Sequence, residues 1–156
     1  MQKKERGFIQ TLRILGIDYG DRKIGLAVSD RLGITAQPLQ SYRLKNKKED
    51  EKFFKTLVSE NEITEIVVGF PLRMDGSTGT RGQKTQEFVR WLKQILNLPI
   101  FLWDERLTTV QAQRILSTRK VAPRVKKEIE DQLSAVIILS TYLENRKFKA
   151  NAEKNR

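Results

Sequence analysis

The sequence predicts an α/β protein built on a five-stranded mixed sheet with helices on both faces. Two observations carry that class. The first three extended segments are joined by short connections and so pair antiparallel, whereas the later two are separated by amphipathic helices that act as crossovers and so pair parallel. At 156 residues the chain suits one domain with a single core, since domains most often run about 100–150 residues. A core over about 13–145 and a polar, Lys-rich tail over 146–156 that frays are expected.

The elements follow in order. Arg13 to Asp18 reads as a first strand, Tyr19-Gly20-Asp21-Arg22 as a tight turn, and Lys23 to Ser29 as a second strand with Ile24, Leu26 and Val28 alternating. Ile34 to Leu44 is extended and contains Pro38, which suits an edge. Lys47 to Asn61 sets Phe53, Phe54, Leu57 and Val58 at helical spacing. Glu65 to Phe70 is a nearly continuous apolar run, expected as a central strand covered on both faces. A loop from Pro71 to Gly82 leads to a second amphipathic helix, Gln83 to Leu96, stopped by Asn97-Leu98-Pro99. Ile100 to Trp103 is expected as another buried strand. Thr108-Thr109-Val110-Gln111 has capping-box spacing and opens a helix to about Leu116. Ser117 to Arg124 reads as a basic loop, and Val125 to about Asn145 as the terminal helix.

Lysine and arginine number 30 against 19 acids, a formal charge of +11. Such a balance points to a polyanionic partner. Nucleic acid is expected rather than membrane, because no apolar run approaches the roughly 20 residues of a spanning helix. The N-terminal segment is too short and too polar for a signal-peptide core, so a cytoplasmic protein is expected. The chain has neither cysteine nor histidine. Disulfides, thiolate metal sites and the usual general base are thereby excluded, and any acid–base or metal chemistry must use carboxylates. Oxygen ligands select hard cations such as Mg²⁺ or Mn²⁺.

Asp18 stands at the end of an apolar strand, where an uncompensated carboxylate is costly. Asp104 and Glu105 close another. Asp131 lies in the first turns of the terminal helix on a face shared with Ala135, Ile138 and Tyr142, which should pack on the sheet. Acids delivered from strand ends and an adjoining helix are able to hold two divalent ions about 4 Å apart for phosphodiester cleavage. Structural alternatives exist for each: turn N–H groups for Asp18, Arg106 for Asp104 or Glu105, and Lys126 or Lys127 for Asp131. Position alone does not separate Asp104 from Glu105. Glu128 and Glu130 read as solvated surface, and Asp30 is undecided.

The loop from Arg73 to Gly82 offers backbone N–H groups, glycines and two arginines, Arg73 and Arg81, at the mouth of a helix, which suits a phosphate oxygen. It lacks the Gly-Lys-Ser/Thr triplet of a Walker motif. Arg22, Lys84, Arg106, Arg119, Lys120 and Arg124 are further candidates for contacts to a nucleic-acid backbone, although singly each also reads as a solvated charge.

Four blocks in order resemble the YqgF (RuvX) family, Holliday-junction-resolvase-like or pre-16S rRNA nucleases of the RNase H-like superfamily. They are Leu15-Gly16-Ile17-Asp18-Tyr19-Gly20 with the following Arg22 to Asp30, Val67 to Ser77, Asp104 to Thr109, and Asp131 ahead of Ala135 to Leu139. The resemblance covers about Arg13 to Leu143 and implies an RNase H-like fold. It also implies Asp18, Glu105 and Asp131 as catalytic metal ligands for two Mg²⁺ or Mn²⁺ ions, with Asp104 as the fallback for Glu105. Ser134 stands where the family usually has alanine, a change expected not to disturb the site. The implied activity is metal-dependent cleavage of structured nucleic acid, with maturation of the pre-16S rRNA 5′ end, within a pre-ribosomal particle, ahead of four-way DNA junction resolution. A binding module without turnover remains an alternative, and a sugar-kinase or ATPase fragment is disfavoured because one short domain cannot form a two-lobed cleft. Monomer and homodimer both remain open.

Overall fold

A computed structural model describes residues 12–107 and 123–155, apart from the side chains of 107, 123–131 and 148. Its elements are β1 (Ile14–Asp18), β2 (Lys23–Ser29), β3 (Ala36–Arg43), α1 (Lys47–Glu60), β4 (Glu65–Phe70), α2 (Thr80–Ile95), β5 (Ile100–Asp104), a 3₁₀ turn (Glu105–Leu107) and α3 (Pro123–Lys154). The sheet order is β3-β2-β1-β4-β5. β1, β2 and β3 form the expected antiparallel meander, while β1, β4 and β5 run parallel. The three parallel strands therefore point their carboxyl ends the same way.

Alternation along the strands feeds two separate cores. Leu15, Ile17, Ile66 and Val68 pack with Phe54, Leu57, Phe88 and Leu92 of α1 and α2. Ile14 and Val67 face the other way, onto Ala135, Ile138 and Leu139 of α3. Helices thus cover both faces. Gly16 permits a close approach: a Cβ there would stand 2.8 Å from Leu139 Cβ and 3.1 Å from the Ala135 carbonyl. α3 consequently lies directly on β1.

Local chemistry sets the helix ends. The Asn46 side chain accepts from the Glu49 N–H and donates to the Glu49 carboxylate, a reciprocal cap that starts α1. Pro38 sits in β3 at the sheet edge, beside a register shift opposite Leu26 and Ala27. Asp30 organises a turn, its Oδ1 accepting the N–H groups of Ile34 and Thr35.

Two expectations change. β5 is an edge strand with Phe101 and Leu102 exposed, not a buried one, because an apolar run does not say how many neighbours a strand will have. Pro123 and Arg124 open α3 instead of closing a loop, as proline is favoured in a first helical turn. The same helix runs on to Lys154, and Arg146 on it pairs with Glu65 at 2.6 Å. The helix expected from Thr108 to Leu116, and Arg119 and Lys120 with it, lie outside the described residues.

Candidate active site

Asp18 ends β1 and Glu105 follows β5, with β4 between them. A side chain on the middle strand would separate the two acids, and Gly69 removes it. Glu105 Oε1 lies 2.7 Å from the point where a Cβ on Gly69 would stand, and Ile138 of α3 closes on the same point. Strand alternation turns Asp18 to the α3 face, in step with Ile14 and Gly16.

The two carboxyl groups share a hydrogen bond. Burial, then the charge of Asp18 less relieved by Arg81, pushes Glu105 up to about 7. Burial also raises Asp18, opposed by the Arg81 charge and by hydrogen bonds from Glu105 and Ser134. Two half-buried acids in contact cannot both ionise cheaply without a cation. Arg81, in the first turn of α2, is the cation felt by both.

A divalent ion fits this donor set. Adjacent carboxylates that repel one another, in a chain with no thiol or imidazole, are hard oxygen ligands awaiting positive charge. Asp18 and Glu105 would hold it. Asp131 falls on α3 three residues before Ser134, and its side chain lies outside the described residues; among those described, no group of three acids comes together.

Asp104 is engaged elsewhere. Arg106 grips it through Nε and Nη2, the latter at 2.7 Å, and holds its carboxyl below the usual carboxylate range. The register explains the division: Asp104 pairs with Phe70 at the strand end, whereas Glu105 has already entered the 3₁₀ turn and folds back over Gly69.

Ser134 is the residue that sequence reasoning undervalued. Its hydroxyl donates to the Asp18 carboxyl, so the replacement expected to be silent supplies an orienting bond. The signal was its spacing, since α3 places Ala135 against Gly16 and hence Ser134 beside the end of β1.

The loop between β4 and α2 is less open than expected. The Arg73 N–H donates to the Ser77 carbonyl, that of Gly76 to the Arg73 carbonyl, and that of Ser77 to the Asp75 carboxylate, so several of its N–H groups are spent internally. The Arg73 guanidinium lies over Gly79, the N-cap of α2, with Nε 2.9 Å from a Cβ position there. Arg106 touches the loop at Gly76. Lys84 pairs with Asp21 at 3.2 Å. Arg22 is exposed at the β1–β2 turn, and the side chain of Arg124 lies outside the described residues.

Among the described residues, no helix is long and apolar enough to cross a membrane.

Residues 12–145 match the family model described as "RuvX: Holliday junction resolvase". A protein of Koribacter versatilis named "Putative pre-16S rRNA nuclease" is 48% identical over 134 residues, 86% of this chain and 88% of its own. A relative of the same name from Halothermothrix orenii is 46% identical over 85% of this chain and 94% of its own. In structure, the chain is similar to T. thermophilus RuvC in complex with a Holliday junction substrate, with a TM-score of 0.51, 14% identity, and coverage of 87% of this chain and 96% of that one. It is also similar to the Fowlpox virus resolvase bound to Holliday junction DNA, with a TM-score of 0.54, 11% identity, and coverage of 86% and 98%. At those identities the likeness concerns the fold, which is that of the resolvases, as expected from the strand order.

Proposed function

The chain belongs to the RuvX family, and from that premise we propose that it is a metal-dependent nuclease that hydrolyses phosphodiester bonds in structured nucleic acid, with the 5′ end of pre-16S rRNA as its substrate. The observation that carries this reading is the Asp18–Glu105 pair at the carboxyl ends of two parallel strands, faced by Arg81. The names of the relatives support the choice of RNA, and the basic balance of the chain supports a polyanion.

The residues divide the work. Asp18 and Glu105, joined by Asp131, would hold two ions. When bound, Mg²⁺ or Mn²⁺ supplies water activation and neutralises charge developing on the phosphate. Ser134 fixes the rotamer of Asp18. Arg81 binds a non-bridging phosphate oxygen and orients the bond to be cut. Arg73 and Arg106 contact flanking phosphates, Arg106 while still holding Asp104.

The test is cleavage of an end-labelled precursor-rRNA 5′ leader and a four-way DNA junction, side by side, with Mg²⁺, Mn²⁺ or EDTA. The expected outcome is metal-dependent RNA product from the wild type and none from Asp18→Asn, which still binds. The family description supports a second reading, junction resolution; symmetric junction products would establish it and would require a two-fold dimer. Binding without cleavage of either substrate would leave a non-catalytic module.

A further inference from the structure

Behind the carboxylate pair, on the other face of the sheet, an open cleft of about 470 Å³ lies between the β1–β2 turn and helices α1 and α2. That volume is in the range that takes a small ligand. Its wall is aromatic: Tyr19 stacks on Phe88 with ring centroids 4.5 Å apart, and Trp91 continues the surface 5.9 Å from Phe88. Lys47 and Lys84 add ammonium groups. Asp50, buried to 7% exposure, lines it as well; its Oδ1 accepts from the Tyr42 hydroxyl and the Lys45 N–H.

The mixture selects a class of ligand. Two lysines stand against three acids, Asp21, Asp50 and Glu87, so the cleft does not suit a bare phosphate cluster or a duplex backbone. The partly buried rings of Tyr19 and Trp91, backed by buried Phe88, suit stacking on a base, carboxylates accept from amino or hydroxyl donors of base and sugar, and ammonium groups meet the phosphates on either side.

Its position ties it to the candidate active site. Tyr19 directly follows Asp18, and the two side chains take opposite faces of the same strand end. Arg81, Lys84, Phe88 and Trp91 succeed one another three, seven and ten residues along one face of α2, with Arg81 beside the carboxylates and the other three lining the cleft. A strand gripped by Arg81 would continue over the end of β1 toward Tyr19.

We propose that this cleft holds one unpaired nucleotide of the substrate strand, splayed out of the stack beside the phosphate that is cut. The proposal rests on the nuclease reading and names how that site chooses its strand: a substrate must offer a single-stranded nucleotide next to the cleavage point.

Tryptophan emission tests it. The chain has two tryptophans, and Trp103 lies on the opposite face, 5.8 Å from Tyr142. In Trp103→Phe carrying Asp18→Asn, Trp91 is the only tryptophan. Hairpins with a single-stranded 5′ tail, of RNA or of DNA, should quench it, and a blunt hairpin of the same stem should not. Lys47→Ala with Glu87→Ala should weaken binding of the tailed hairpin about tenfold relative to the blunt one. A parallel experiment in Asp18→Asn alone, with 2-aminopurine at successive tail positions, should find one position quenched on binding, and covers the case in which Trp103→Phe does not fold. Tailed hairpins that bind by anisotropy with Trp91 and every 2-aminopurine unchanged would overturn the cleft while leaving cleavage by the wild type to stand. Quenching without wild-type cleavage would keep the cleft and discard the nuclease, and failure of both hairpins to bind would overturn both.

Discussion

Glu105 reaches Asp18 only because Gly69 stands between them: its Oε1 is 2.7 Å from where a Cβ on that glycine would be. The two acids come from strands that are not neighbours, and the missing side chain on the middle strand is what makes them a pair. β1 contributes an acid, β4 a gap, and the 3₁₀ turn that follows β5 the second acid.

Gly69→Ala should therefore injure stability and chemistry together. The added methyl meets Glu105 and Ile138, an overpacking of a kind that costs about 1–3 kcal/mol. Urea denaturation should show the loss, and titration with Mn²⁺ should show weakened binding. Unchanged Mn²⁺ affinity would mean that Glu105 is not a ligand.

Protonation of the pair sets a pH dependence in the absence of metal. Glu105 is held at about 7 in the folded state, above its ordinary 4.5, so the folded protein binds this proton more tightly than the unfolded chain. That contribution is complete below about pH 4.5 and is lost as pH rises toward 7. In EDTA, the melting temperature of the wild type should fall between pH 5 and pH 8 more steeply than that of Glu105→Gln. Saturating Mg²⁺ should flatten the wild-type slope, because a cation favours the ionised acids.

Arg81→Ala should slow cleavage by about 10²-fold, the scale for removing one preorganised group from developing charge. The same substitution should raise the titration of Glu105 further, since the Arg81 charge opposes its upward shift. NMR titration of the Glu105 carboxyl, with metal absent, separates this effect from a general loss of nucleic-acid affinity.

Tyr142→Phe should cost stability without touching catalysis. The Tyr142 hydroxyl donates to Glu65 Oε1, while Arg146 Nη1 donates to Oε2 at 2.6 Å, at the end of β4 away from the candidate site. Loss of one hydrogen bond to a buried carboxylate costs about 1.5–3 kcal/mol. The denaturation midpoint should drop with an unchanged slope, and specific activity at 20 °C below the new midpoint should hold.

Much of this was legible in the residues. Asp18 is conspicuous because a charged side chain interrupts an apolar strand, and the strand order follows from the lengths of the connections, too short at first for anything but antiparallel neighbours. Glu105 and Asp104 were not separable by position, because one residue of register decides which of them leaves the strand and turns back. Ser134 looked inert because its partner is 116 positions away in the sequence, on another element.

The sequence by itself determined the class of fold, the absence of histidine and cysteine chemistry, and the acids from which a site had to be built. Tertiary structure alone decided that Asp18 meets Glu105 across Gly69, that Arg106 claims Asp104, and that an aromatic cleft opens beside the pair. The physical reason is range: periodicity and turn chemistry act over a few residues, while the energy of a buried carboxylate depends on whichever charges and donors the packed helices bring within a few ångströms.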